Sequence, residues 1–165
     1  MPIICRLLQI PPQCAASLVA DPSKLEETVK AAKIYSGVYR YWHGIEYLLA
    51  QHSPESPAAK WLSLGQAVST AKDSIPVARV LLPPAVAQLD ATIREIEPDA
   101  LSDHYEADAL DEAKIYPRTW VEWEETFDPL GQVLEHYSYL QFSTKQCASA
   151  GDSLVLYFVD DGEDC

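Results

Sequence analysis

Apolar residues run through Ile3–Ile10 without a turn residue until Pro11 and Pro12 stop them. A second such run, Ser-Leu-Val-Leu-Tyr-Phe-Val over 153–159, follows the turn at Gly151 and Asp152. Both predict β-strands, the second strongly β-prone and buried. Between them the apolar spacing is mostly helical. A helix is expected over about 12–19, and another from Asp21, Pro22 and Ser23, with Asp21 as N-cap, Pro22 at the first helical position and Glu26 and Glu27 in the first turn. Gly37 is taken as the join to the next helix, 38–51, whose Tyr41, Ile45, Leu48 and Leu49 share one face. A turn over 52–57 leads to a short helix at 58–64, closed by Gly65, and then to a weakly patterned stretch over 66–78.

Past a third, short strand near 77–81, Pro83 and Pro84 start a helix in which Val86, Leu89, Ile93 and Ile96 recur at helical spacing. Glu97 and Pro98 break it, and 98–113 predicts one or two short acidic helices with Leu101, Tyr105 and Leu110 inward. Asp128 and Pro129 supply another cap and first position. Leu130, Val133, Leu134, Tyr137, Leu140 and Gln141 then mark the longest helix, to about Ala150. The expected fold is therefore α+β: a small sheet formed by the N- and C-terminal strands, packed against several helices. One domain over 1–165 is expected, with 160–165 a frayed acidic tail.

Composition agrees with one self-sufficient core, since 165 residues at 48% hydrophobic need no staple of metal or disulfide. No apolar run approaches the roughly 18 to 20 residues of a membrane span. The first residues lack a basic stretch, a long apolar stretch and a small-residue cleavage site, so a secretory signal is not expected. Cys5, Cys14, Cys147 and Cys165 show neither CxxC nor zinc-like spacing and suggest reduced thiols in a cytoplasmic protein.

Charge changes the picture more. The formal net charge is −13, but residues 1–94 carry nine Lys/Arg against seven Asp/Glu, whereas 95–165 carry only Lys114, Arg118 and Lys145 against eighteen Asp/Glu. Such a field repels nucleic acid and anionic membranes and draws a basic protein inward.

Four segments carry a family resemblance. Tyr41, Trp42, His43, Gly44, Ile45, Glu46, Tyr47, Leu48 and Leu49 resemble the central helix of the YfbM-like family of bacterial proteins. Pro76, Val77, Ala78, Arg79, Val80 and Leu81 with Pro83 resemble its Pro-Ala-Arg segment. Ile115, Tyr116 and Pro117 with Trp120 resemble its Ile-Tyr-Pro-x-x-Trp element, and the long helix running into an apolar strand matches as well. The departures are a Gly-rich stretch reduced to Leu64, Gly65 and Gln66, and the acidic region 97–112. The resemblance implies an α+β fold and no established reaction. Through relatives that look like immunity proteins encoded beside secreted toxins, it also implies toxin neutralisation.

Candidate chemistry narrows to two surfaces. There is no P-loop, GxGxxG, HExxH or Gly-x-Ser-x-Gly, so an enzyme and a bound cofactor are not expected. His43 and Glu46 lie one helical turn apart but lack a third metal ligand, and His104, Glu106 and Asp108 look solvated, so no metal site is expected. The first surface is acidic: Glu97, Asp99, Asp103, Glu106, Asp108, Asp111 and Glu112 occur with no Lys or Arg between them, and Glu122, Glu124 and Glu125 interleave with Trp120 and Trp123. Charge for steering with an aromatic anchor for affinity suits a basic partner such as a cognate toxin. The alternative surface is a pocket of Trp42, His43, Arg79, Tyr116 and Trp120, in which an Arg among aromatic rings would suit a small carboxylate or nucleotide, bound or turned over.

Overall fold

Strands β1 (Ile3–Ile10) and β5 (Ser153–Asp160) pair antiparallel along their whole length, from Ile3 opposite Asp160 to Ile10 opposite Ser153. The computed structural model describes residues 2–68 and 77–161. Among these residues the sheet has five antiparallel strands in the order β2-β1-β5-β4-β3, where β2 is Lys33–Tyr39, β3 Gln66–Val68 and β4 Val77–Leu81. The terminal strands thus lie at its centre, and the short strand near 77–81 is present. Pro76 and the rest of 69–76, like the tail from 162 onward, lie outside the described residues.

Strand β2 corrects the reading of 23–51. The second helix ends early, as α2 (Leu25–Ala31), and Val38 belongs to a strand rather than to the next helix, α3 (Trp42–His52). Gly37 is not a join between helices. It sits inside β2 at φ +67, and a Cβ there would stand 2.6 Å from the Cys5 carbonyl oxygen. The register slips at this point, between Cys5 and Leu7. A residue without a side chain lets the strand bulge while staying against β1.

Helices cover both faces of the sheet. On one face Cys5, Leu7, Leu81, Leu154 and Leu156 meet Ile45, Leu48 and Leu49 of α3. They also meet Val86, Leu89 and Ile93 of α4 (Pro83–Ile93), and Val133, Tyr137 and Leu140 of α8 (Pro129–Ala150). On the other, Leu8, Ile10, Val80 and Val155 are covered by Ala15 and Leu18 of α1 (Pro12–Ala20) and by Leu25. The expected caps are in place: Asp21 accepts from the Ser23 N–H, and Asp128 from the Gly131 N–H. Cys5, Cys14 and Cys147 are free thiols, and burial pushes the Cys147 thiol up to about 12.

Three short helices carry the acidic segment: α5 (Pro98–Ser102), α6 (Ala107–Glu112) and α7 (Trp120–Glu124). Leu101, Ala107, Leu110, Ile115 and Trp120 root it in the main core. Trp120 is seated directly on Gly44 of α3, where an added Cβ would come within 2.6 and 2.9 Å of its indole carbons. Gly44→Ala should therefore cost more in overpacking, ~1–3 kcal/mol, than the ~1 kcal/mol it returns in helix propensity. The expected result is a melting temperature lowered by up to about 8 °C; a raised value would contradict the contact.

Candidate functional site

Of the five pocket candidates, Trp42, His43 and Tyr116 stack on or bond to one another, whereas Arg79 and Trp120 bond elsewhere. Trp42 opens α3 with its ring stacked with those of His43 (centroids 5.3 Å apart, 9° between planes) and Tyr116 (5.1 Å, 17°), and meets Phe158 edge-on at 5.4 Å. The Trp42 indole N–H donates to the Ile3 carbonyl at 3.2 Å, and the Ile3 N–H donates to the Tyr116 hydroxyl at 2.6 Å. The Tyr116 N–H donates to His43 Nδ1 at 2.9 Å. These polar atoms close the open end of β1 and satisfy backbone groups that the sheet leaves unpaired. Arg79 stands on β4, where its Nη2 donates to the Gly65 carbonyl at 3.1 Å. Glu46 accepts from the Leu62 N–H at 3.1 Å; burial raises its pKa, partly offset by that bond and by the Arg79 charge. Both thus bond to the backbone of the segment after α3, Glu46 to the 3-10 helix Pro57–Ser63, which is the short helix expected near 58–64, and Arg79 to the glycine that follows it.

On the acidic face, Glu97, Asp99, Asp103, Glu106, Asp108, Glu112, Glu122, Glu124 and Glu125 are all exposed. Two members of the expected surface are corrected. Trp120 is 0% exposed, and its indole N–H donates to the Ile115 carbonyl at 3.0 Å. It is a core residue and cannot anchor a partner. Asp111 is half-buried and accepts from the Trp120 and Val121 N–H groups at 2.9 and 3.1 Å, so it caps α7. Trp123 stays half-buried at the surface edge, its ring 5.3 Å from both Trp120 and Phe127. Among the described residues no group of three His, Cys, Asp or Glu side chains is placed to hold a metal. His104 faces His52, with ring nitrogens 3.3 Å apart, rather than joining Glu106 and Asp108.

A groove of about 640 Å³ beside this face went unread in the sequence. Tyr39, Arg40, Tyr41, Phe127, Asp128, Gln132 and His136 line it. Tyr39 holds φ +48, a left-handed backbone uncommon for an aromatic residue, and this was a signal that sequence spacing could not show. The pieces come from the end of β2, the α7–α8 loop and the first turns of α8, so only the folded chain assembles them.

A helix-backed antiparallel sheet with the terminal strands at its centre and one acidic flank defines an α+β protein. The chain belongs to the family described as a domain of unknown function (DUF1877), which matches residues 1–157. It is similar in fold to the crystal structure of YfbM, a protein of unknown function from Escherichia coli, with a TM-score of 0.70 over 94% of this chain and 99% of that one. Identity is 14%, so the likeness concerns the fold alone. No curated protein matches the chain in sequence. None of the helices among the described residues is long and apolar enough to cross a membrane.

The aromatic stack makes a pH prediction. Burial first, then the Arg118 charge, lowers the His43 pKa below its ordinary value of about 6.5, and accepting the Tyr116 N–H requires an unprotonated Nδ1. A depressed folded-state pKa stabilises fully above about 6.5 and loses that contribution as pH falls below it. His136, also lowered by burial, acts with the same sign. His43→Asn keeps an acceptor but removes the titration, so its melting temperature should fall less steeply than the wild type's between about pH 7 and 5. Parallel pH profiles would contradict this role.

Proposed function

We propose that this protein is a non-enzymatic binding protein, an immunity-type inhibitor that neutralises a cognate secreted bacterial toxin by occluding it with its acidic face. The observation carrying this reading is the exposure of the carboxylates on α5 to α7 over a fully buried apolar base. The face presents Glu97, Asp99, Asp103, Glu106, Asp108, Glu112, Glu122, Glu124 and Glu125, without Trp120. A dense carboxylate surface raises the encounter rate with a basic partner and rejects acidic ones. It also imitates phosphate charge, which suits a toxin whose own site is basic because it acts on nucleic acids or nucleotides. The pocket alternative, a small-molecule or catalytic site at Trp42, His43, Arg79 and Tyr116, is disfavoured because these side chains bond internally to backbone or stack on one another.

Co-expression with the product of the adjacent gene tests the proposal. The neighbour should arrest growth alone, become harmless beside this chain and co-purify with it. Asp103→Lys, Glu106→Lys and Asp108→Lys together should abolish protection while leaving the fold intact, since all three are exposed. A benign neighbour, or full protection by the triple variant, would contradict the reading.

A further inference from the structure

The groove beside the acidic face has a chemistry that packing alone does not require. Five ring systems meet there in series: Tyr39 to His136 at 6.4 Å, His136 to Tyr41 at 4.7 Å, Tyr41 to Trp123 at 5.7 Å and Trp123 to Phe127 at 5.3 Å. Phe127 nevertheless leaves 39% of its surface to solvent. Aromatic faces attract cations, and do so more strongly as water is excluded. His136 adds no competing charge. Its Nδ1 is 2.8 Å from the Gln132 carbonyl and must carry the proton there, which leaves Nε2 with its lone pair; burial keeps the ring neutral near pH 7.

One guanidinium already rests on this surface. Arg40 lies 5.1 Å from the Tyr39 ring centroid and 5.9 Å from that of Trp123, and its Nη2 is 3.3 Å from the Asp161 carboxylate. The same fold surface thus holds a guanidinium between ring faces and a carboxylate. The same groove is also lined by an exposed ring, Phe127, and an exposed carboxylate, Asp128. Arg40 is matched by Asp161, whereas no ion pair among the described residues involves Asp128. The surplus charge at the mouth is negative.

We propose that this groove receives an arginine side chain of the protein partner, stacked on Phe127 with its N–H groups on the Asp128 carboxylate. The inference rests on the protein-binding reading above and deepens it by supplying the anchor that Trp120 cannot. Arginine fits better than lysine, because a planar guanidinium can stack on a ring and bond a carboxylate in two places at once.

The test uses the isolated chain and a small probe, acetyl-arginine methylamide, followed by NMR at about 0.5 M salt, where screening shortens charge effects to roughly 4 Å. Saturable shifts are expected at the Trp123 indole N–H, Phe127, Asp128 and His136. Binding should weaken at least several-fold in Phe127→Ala and in Asp128→Asn, which keeps an acceptor for the Gly131 cap. It should survive the triple reversal at Asp103, Glu106 and Asp108. Shifts centred on α5 and α6 that vanish with the triple reversal would overturn the groove and leave the acidic-face reading standing. Equal binding of acetyl-glutamate methylamide, or no shift in the groove, would also overturn it. Groove shifts together with a harmless neighbouring gene would remove the toxin assignment and keep the arginine site.

Discussion

The pairing of β1 with β5 is the constraint on which the rest of the structure depends. Eight consecutive residue pairs join the two ends of the chain at the centre of the sheet, so everything between is an excursion that must return to cover its two faces. Helix α8 turns directly into β5 at Gly151, which adopts φ +69, and the strand therefore sets where α8 lies. From α8, the Tyr137 hydroxyl donates to the Ile93 and Ile96 carbonyls at 3.0 and 2.9 Å, and Gln141 reaches the same two groups. These bonds satisfy the end of α4 and fix the point at which the acidic segment departs. At the far end of β5, Asp161 accepts from the Tyr39 hydroxyl and pairs with Arg40, which places the aromatic groove.

A concentrated negative surface, with only Lys114 and Arg118 as basic residues in its segment, is held in place because its underside is apolar. Leu101, Leu110 and Trp120 are 0% exposed, and Ile96, Ala107 and Ile115 nearly so. Full burial of a large apolar side chain contributes ~1.5–3 kcal/mol. Two like charges 8 Å apart in water oppose it by only ~0.5 kcal/mol, and less in salt. Burial wins. Asp111 is the exception that serves structure: its carboxylate caps the α7 backbone. The charges are consequently mounted on helices rooted in the core rather than on a loose tail.

Much of this was legible before folding. The terminal strands, the proline-started helices α4 and α8 and the Asp128 cap follow from local pattern and local chemistry, and the structure has them where expected. Strand β2 was misread because Gly37 resembles a helix join, whereas its positive φ and the approach of the Cys5 carbonyl explain a glycine there. The acidic residues were visible as a run, but which of the interleaved tryptophans turns inward depends on Gly44, 76 positions away in sequence from Trp120. The pocket expected at Arg79 failed to assemble with Trp42 and Tyr116 because their polar atoms serve strand ends and turns. An Arg among aromatic rings does exist, at Arg40, built from segments that no spacing rule connects.

We propose above that the exposed carboxylates of α5 to α7 steer and seat a basic protein. The most direct measurement is the association rate constant with the protein recovered from the adjacent gene, followed as ionic strength rises from about 20 to about 500 mM. The account predicts a fall of roughly tenfold or more in the association rate, with a dissociation rate that changes far less. An association rate indifferent to salt would contradict it and return the acidic face to the role of an ordinary solvated surface.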